Sequence, residues 1–571
     1  MTWTNKFQQK KIYDFSNEVL EEILDKIFKA NIEEFDKEGL NKFELKLLLR
    51  WNVYLSINTF TDRFLRAITN KNRVTKKQIN FKNLFDHHYT NLIEVTLDYY
   101  NNNKLNNNLL NNIIFILNNS NQKKVQIKDT NRKKYYRKNL HFFKLKTLIK
   151  LIIFKYIYKI KEMHEGTEKL NLIFSENRSF INYPFIKENK ICYKSRSIIR
   201  NIAQKIFIKR YSKFLTRDQN KINMISSVFA NWIDHSIPLS ILENLNERFL
   251  FYYKLLNYLK INTFHASTGF FTNENIKIFS ILLKRKKIRI IGHEHGVTNF
   301  IIPGKTNFMS HYKTLDHFLY PNVFLSWGCE KKGADKWKNI RNFNLKILDA
   351  GSVYLNHINK LHDSNYTQKL RSNNKSAYLI FYCASQFRQF MTNLEEMTPE
   401  DNLQHKTKVC KFLKKVIMKK NIKLIYKQFP ENINRKNDPF FAIFKNEIIK
   451  KKVIVSQENS VKIMHSVDLV VFDLISTGFG EAISINKPSI VYTNKFEYNR
   501  ASPDGKKIND LFYKHGIFFN KDSSGIKSIN AIMKDTNLFQ ENAKNLTNTF
   551  KQKISYPISK SIFLKKINNL I

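Results

Sequence analysis

Between residues 377 and 492, short runs of β-branched and aromatic residues alternate with helical stretches, and no other feature of the chain restricts its fold as much. Strands are expected at Ala377–Cys383, Lys423–Lys427, Val453–Val455, Asp468–Phe472 and Ser489–Tyr492. Helices are expected at Gln404–Lys419, Asp438–Lys450 and Ser460–His465, with another after Gly480. Short apolar strands separated by helices build an α/β domain around a parallel sheet buried on both faces. The second helix carries its own start signal, Asp438 as N-cap and Pro439 in the first turn.

Within this rhythm lies VVFDLISTGFGE, Val470–Glu481. The apolar run stops at Ser476–Gly480, where hydroxyls and two glycines crowd together before a helix. A helix start presents free backbone N–H groups, and glycines let a ligand approach the backbone. Ser476, Thr477 and Gly478 therefore suit a phosphate, and Glu481, one turn further on, suits the hydroxyls of a ribose. The same residues also fit an ordinary strand-to-helix connection with an N-cap.

The rest of the chain organises around this domain. Residues 1–165 read as helical: Leu20, Ile23, Leu24, Ile27 and Phe28 follow helical spacing, and Leu45–Ile57 is densely apolar. The Asn-rich tract Asn101–Asn121 keeps Leu105, Leu109, Leu110, Ile113, Ile114 and Leu117 in helical register, and Asp62-Arg63 reads as a structural ion pair. Residues 166–356 form a first α/β domain. In it Leu170–Phe174, Ile288–Ile291, Phe318–Trp327 and Leu345–Val353 are strands, and Arg196–Arg217 and Ile276–Lys284 are helices. The polar stretch 357–375 is a linker, 376–525 the second α/β domain, and 526–571 helices that pack back onto the first domain.

At 571 residues the chain is too long for one core, and 42% hydrophobic and 14% aromatic content excludes a disordered protein. Lys and Arg outnumber Asp and Glu by 97 to 48, a net charge of +49. That excess suits phosphorylated substrates, anionic lipid or nucleic acid. Because Lys, Asn, Ile and Phe are abundant throughout, most of it reads as a solvated surface shaped by codon composition. Basic and aromatic residues are spread evenly rather than gathered in one module, so a nucleic-acid-binding protein is the lesser reading. Cys192, Cys329, Cys383 and Cys410 lie far apart, without zinc-site spacing or a disulfide framework, which fits a reducing cytoplasm. No apolar run is long enough to span a bilayer, and the most apolar, Phe142–Ile160, is broken by five lysines. It reads as a basic surface helix, with contact at a membrane's inner face as the alternative.

A second candidate site follows the strand Ile288–Ile291, in the sequence GHEHG. Two histidines flank a carboxylate there: His295 is placed to take a proton from a reacting hydroxyl, and Glu294 or His293 to orient or replace it. His293 and His295 alone do not complete a coordination sphere, so no metal and no cofactor is expected.

GHEHG, the strand ends FLSWG and DAGS, YKQFP, and DLISTGFGEAISINKP together resemble bacterial surface-polysaccharide transferases. These include the transferases of O-antigen loci and, more distantly, capsule Kdo and CDP-glycerol polymer transferases. RWNVYLSINTFTDRF extends the likeness into the helical N-terminal region. The resemblance implies a GT-B-like fold, two Rossmann-like domains facing a cleft, and a metal-independent glycosyltransferase. It further implies a nucleotide-sugar donor, with a CMP-ulosonic acid as one candidate, and a surface glycan or lipid-linked acceptor. It assigns His295 to the reaction centre, with Gly296, Thr298 and Asn299 on the acceptor side. On the donor side it places Lys427, Ser476, Thr477, Gly478 and Glu481, while Ser385, Gln386 and Arg388 face the same cleft from the turn after the first strand. Two departures stand out: Glu294 replaces the more common Gln, and Phe429 the histidine of a His-Pro pair. A nucleotide-sugar 2-epimerase, which shares the two-domain cleft, is the alternative enzyme.

Overall fold

The computed structural model describes residues 6–69, 95, 99, 103–118, 193–215, 218–242, 245–258, 263–267, 270, 273–294, 319–328, 345–358, 360–374, 376–385, 399–418, 421–427, 438–494, 503–553 and 556–568. The chain divides into two compact units, one of residues 1–291, 319–321 and 390–396, the other of 292–318, 322–389 and 397–571. The expected helix Phe142–Ile160 and strand Leu170–Phe174 lie outside the described residues.

The first unit is mainly helical. Its longer described helices are α1 (Lys6–Lys29), α2 (Lys42–Thr69), α3 (Asn103–Asn118), α4 (Tyr193–Tyr211), α5 (Gln219–Ser236), α6 (Leu245–Tyr258) and α7 (Glu274–Arg285). Helix α2 is longer than its apolar stretch and buries polar as well as apolar residues. Asp62 and Arg63, both 0% exposed, pair at 2.6 Å, and Arg63 also donates to Asn106 of α3. Ser56 and Asn52 bond the backbone of α5 and the residue that ends it, Ser236. An aromatic cluster of Phe60, Phe64, Phe207, Tyr211 and Phe229 fills the space among α2, α4 and α5. Strand β1 (Thr263–Ala266) precedes α7, which Asn273 caps by accepting from two backbone N–H groups, and β2 (Arg289–His293) follows it.

The division between the units falls in β2, at Gly292. The second unit continues with β3 (Val323–Ser326) and β4 (Lys346–Asp349), and the smaller sheet runs in the order β1-β2-β3-β4. Strands β3 and β4 pair in parallel from Val323↔Lys346 to Ser326↔Asp349. Next come α8 (Val353–Ile358) and α9 (Ser364–Ser372). The latter lies within 357–375, the stretch set apart by its polar composition. One ridge, Tyr366 and Leu370, joins the core while the polar remainder stays outside, and Arg371 pairs with Asp468 at 2.6 Å.

The larger sheet is the organising element of this unit. Its strands are β5 (Tyr378–Cys383), β6 (Ile422–Lys427), β7 (Val453–Ser456), β8 (Leu469–Phe472), β9 (Ser489–Tyr492) and β10 (Phe518–Phe519). They pair throughout in parallel, in the order β10-β9-β8-β5-β6-β7. Counted from β5, that is 3-2-1-4-5-6, the order of a doubly wound nucleotide-binding sheet, and it reverses between β5 and β8. Both faces are buried, and successive residues alternate between them: Ile380, Tyr382, Leu424 and Val471 pack on one side, Leu379, Phe381, Ile425 and Val470 on the other. Helix α10 (Pro399–Ile417) begins earlier than expected. The expected helix Asp438–Lys450 is two, α11 (Pro439–Ile443) and α12 (Lys445–Ile449), broken at Phe444. Asp438 caps α11 as expected, accepting from Phe440 N–H at 3.0 Å.

Helices α13 (Ser460–Ser466), α14 (Thr477–Ser484), α15 (Pro503–Lys514), α16 (Asp522–Lys534) and α17 (Thr536–Lys553) complete the layers. The segment after α17 returns to the smaller sheet. Ser352 N–H donates to Tyr556 C=O at 2.8 Å, Ile558 N–H to Ser352 C=O at 3.1 Å, and Tyr556 N–H to Trp327 C=O at 3.0 Å. Helix α18 (Lys560–Asn568) follows, with Phe563 buried.

Candidate functional site

The carboxyl ends of β5 and β8 lie where the strand order reverses, the usual place for a ligand on a sheet of this order. Strand β8 ends at Phe472, and Asp473, 1% exposed, turns its carboxylate back across the β5 end. It accepts from Tyr382 O–H (2.8 Å), Ser385 N–H (2.8 Å) and Ser385 Oγ (3.0 Å). The Asp473 carbonyl accepts from His405 Nε2 at 2.7 Å, and burial pushes that imidazole's pKa down, so it stays neutral. Lys406, also buried, points its ammonium at the Ser385 carbonyl (3.5 Å) and at Asp438 (3.4 Å), which also accepts from Tyr426 O–H. Ser385 is thus anchored through its N–H, carbonyl and hydroxyl.

Helix α14 starts one residue after Ser476, so Gly478 and Gly480 lie inside its first turn rather than in a turn before it. The Ser476 side chain makes no cap bond, and the helix geometry leaves its first N–H groups without intrahelical acceptors. Gly478 packs directly against the sheet: a Cβ there would meet Phe472 Cε1 at 3.2 Å and Cys383 Sγ at 3.5 Å. The missing side chain lets the helix start sit close over the β5 and β8 ends.

Glu481 and Lys427 complete the group. Lys427 closes β6 in register with Cys383. Glu481 accepts from Tyr354 O–H of α8 at 2.8 Å. Burial pushes the Glu481 carboxyl pKa up, while the Tyr354 hydroxyl and the Lys427 ammonium pull it back toward the ionised form. The Cys383 thiol is pushed up by burial and by the nearby Glu481 and Asp473 carboxylates, with Lys427 opposing. An ammonium, a carboxylate, a helix start and the anchored Ser385 therefore share one sheet edge.

Glu294, just beyond β2, is 5% exposed, and its carboxylate accepts from Ser326 Oγ (2.9 Å) and Trp327 N–H (2.7 Å). It holds the end of β3. Trp327 in turn stacks on Tyr354, ring centroids 6.0 Å apart, and Tyr354 bonds Glu481. The residue preceding His295 is connected to the α14 carboxylate through two side chains of the same unit. His293, at the end of β2, is buried with its ring 6.4 Å from that of Phe563. His295, Gly296, Thr298, Asn299, Gln386 and Arg388 lie outside the described residues.

Asp473, Tyr354, His405 and Lys406 received no role from the sequence. Asp473 had a signal, a carboxylate directly after the apolar run VVF. The others have none, since the fold alone brings them to the sheet edge. Among the described residues no group of three or more His, Cys, Asp or Glu could hold a metal ion, and no helix is long and apolar enough to cross a membrane.

A nucleotide-type α/β sheet with charged groups at its switch point defines the class. The chain belongs to the LIC12162 family of transferases, whose model matches residues 1–553. No curated protein matches it. Among solved structures it is similar to a UDP-N-acetylglucosamine 2-epimerase homologue from Listeria monocytogenes (11% identity, 58% of this chain and 79% of that one, TM-score 0.39). It is also similar to a glycosyltransferase from Rickettsia africae (12%, 57% and 80%, TM-score 0.37). A third similar structure is the Anabaena protein HepE in complex with UDP (13%, 60% and 88%, TM-score 0.36). At these values the likenesses decide neither fold nor function.

Proposed function

We propose that this transferase moves a glycosyl group from a nucleotide-activated donor to a surface glycan or its lipid-linked precursor, in a metal-independent GT-B reaction. The observation that carries the reading is the β5/β8 switch point, where Lys427, Glu481 and the Gly478 helix start gather at the strand ends of a sheet ordered 3-2-1-4-5-6. In this reading the first N–H groups of α14, with Ser476 and Thr477, receive donor phosphate. Glu481 accepts from the ribose hydroxyls, and Ser385, Gln386 and Arg388 contact the donor's phosphate or base. Gly296, Thr298 and Asn299 shape the acceptor side. The acceptor hydroxyl oxygen forms its bond to the anomeric carbon as the bond from that carbon to the donor phosphate oxygen breaks. The phosphate keeps the electron pair, its charge offset by Lys427, and the hydroxyl proton passes to His295. Glu294 supports the segment that carries His295 rather than sharing its proton, since its buried carboxylate is engaged by Ser326 and Trp327. A CMP-ulosonic acid is one donor within this class, and the inner face of the membrane one place of work.

Incubation with CMP-, UDP- and GDP-sugars, with and without glycan acceptors, tests the reading by mass analysis of the products. Acceptor-dependent gain of a sugar and release of nucleotide is the expected result. An epimerised nucleotide-sugar formed without acceptor would replace transfer by 2-epimerisation, and no turnover of any donor would remove the proposal.

A further inference from the structure

We infer that Tyr354 is the positioning residue of the donor site: its hydroxyl fixes the orientation of the Glu481 carboxylate, and its own ring is held by Trp327 at the end of β3. The inference rests on the donor reading of Glu481. It goes beyond that reading by assigning a role to two uncharged residues, Trp327 just after β3 and Tyr354 on α8.

Glu481 leaves α14 facing a mostly buried sheet edge. A carboxylate there has several rotamers, and a hydrogen bond to one of its oxygens restricts which of them it adopts. Tyr354 O–H takes Oε1 at 2.8 Å. Tyr354 is itself held: its ring stacks on Trp327 at 6.0 Å and 29° between planes, and α8 anchors its backbone. Leu355 and Ile358 of α8 are fully buried against Val461 of α13 and Ile485, which caps α14. Trp327 is held in its turn, its N–H by Glu294 at 2.7 Å and its carbonyl by Tyr556 N–H at 3.0 Å. Tyr354 is thus held both through its ring and through its helix, which fixes where its hydroxyl meets Glu481.

The other charged groups around Glu481 do not do this. Lys427 acts on the carboxylate through charge, without direction, and Cys383 contributes a neutral thiol. On α13, Lys462 pairs with Asp363 at 3.0 Å and His465 bonds the Ile358 carbonyl. Glu541 and Lys544 of α17 are exposed. The Tyr354 hydroxyl therefore both orients the carboxylate and favours its ionised form.

The test uses the whole chain and whichever of UDP, GDP or CMP it binds most tightly, titrated calorimetrically across pH. Tyr354→Phe keeps the ring stack and removes only the hydroxyl. Affinity is expected to fall about tenfold. The pH midpoint below which binding is lost should move upward, because the carboxyl loses a donor that favours its charge. In a Glu481→Gln background the same change should do nothing more, because Tyr354 acts through Glu481. Wild-type binding with an unchanged affinity and midpoint in Tyr354→Phe overturns the Tyr354 role and leaves the donor reading standing. Additive losses in the double variant also overturn it, since Tyr354 would then touch the nucleotide directly. A wild-type chain that binds none of the three nucleotides removes the donor reading and this inference with it.

Discussion

At Glu481 two opposing effects meet on one carboxyl: burial favours the proton, while Lys427 and Tyr354 favour the charge, and burial is the larger. In the proposed donor site the ionised form is the one that would accept from ribose hydroxyls. Its population falls as pH drops, beginning above the usual carboxylate range because the pKa is raised. Nucleotide affinity measured from about pH 4 to about pH 8 should weaken on the acid side in the wild type. In Glu481→Gln it should be weak throughout and lose that dependence. A second residue-scale prediction concerns Gly351, whose φ of +76° disfavours any side chain and whose added Cβ would overlap the Tyr556 ring. Gly351→Ala should destabilise the chain by about 2 kcal/mol in urea titrations and speed cleavage by chymotrypsin after Phe563, which is buried in the native chain. A variant as stable and as resistant as the wild type would show that the C-terminal segment does not depend on this close approach.

Among the elements, α2 shows how a buried ion pair is retained in a helical core. Asp62 and Arg63 are both fully buried, and Arg66 also bonds Asp62, at 3.0 Å. Burial draws the Arg63 guanidinium down to about 10, still charged at neutral pH. Asp62→Ala takes away the carboxylate that both Arg63 and Arg66 bond, so it should cost about 3–5 kcal/mol, measured by chemical denaturation. A loss below about 1 kcal/mol would place the pair at a hydrated surface instead. Elements of this kind were legible unevenly. The strands of the larger sheet were readable to within a residue or two because both faces are apolar and the runs are short; Ser489–Tyr492 matches at both ends. Strand β10 was not, since two phenylalanines carry no periodicity. The helix in 357–375 was hidden by its composition, one apolar ridge among polar residues. The start of α14 was placed too late because glycines read as a turn, whereas Gly478 serves helix-to-sheet packing.

For the whole molecule, what matters is which residues the topology brings to one edge. Lys427, Ser476, Gly478 and Glu481 were legible because each sits at the end of a readable strand or start of a readable helix. Tyr354 and Trp327 were not, because their meeting with Glu481 depends on how α8 packs against α13. The central claim is that the β5/β8 switch point is a nucleotide site. Isothermal titration of the wild-type chain with UDP, GDP and CMP, repeated on Lys427→Ala and Glu481→Ala, tests it most directly. The account predicts saturable binding of at least one nucleotide, weakened about tenfold or more by either substitution while thermal unfolding stays cooperative. Absence of binding by the wild type, or equal affinity in both variants, would contradict it.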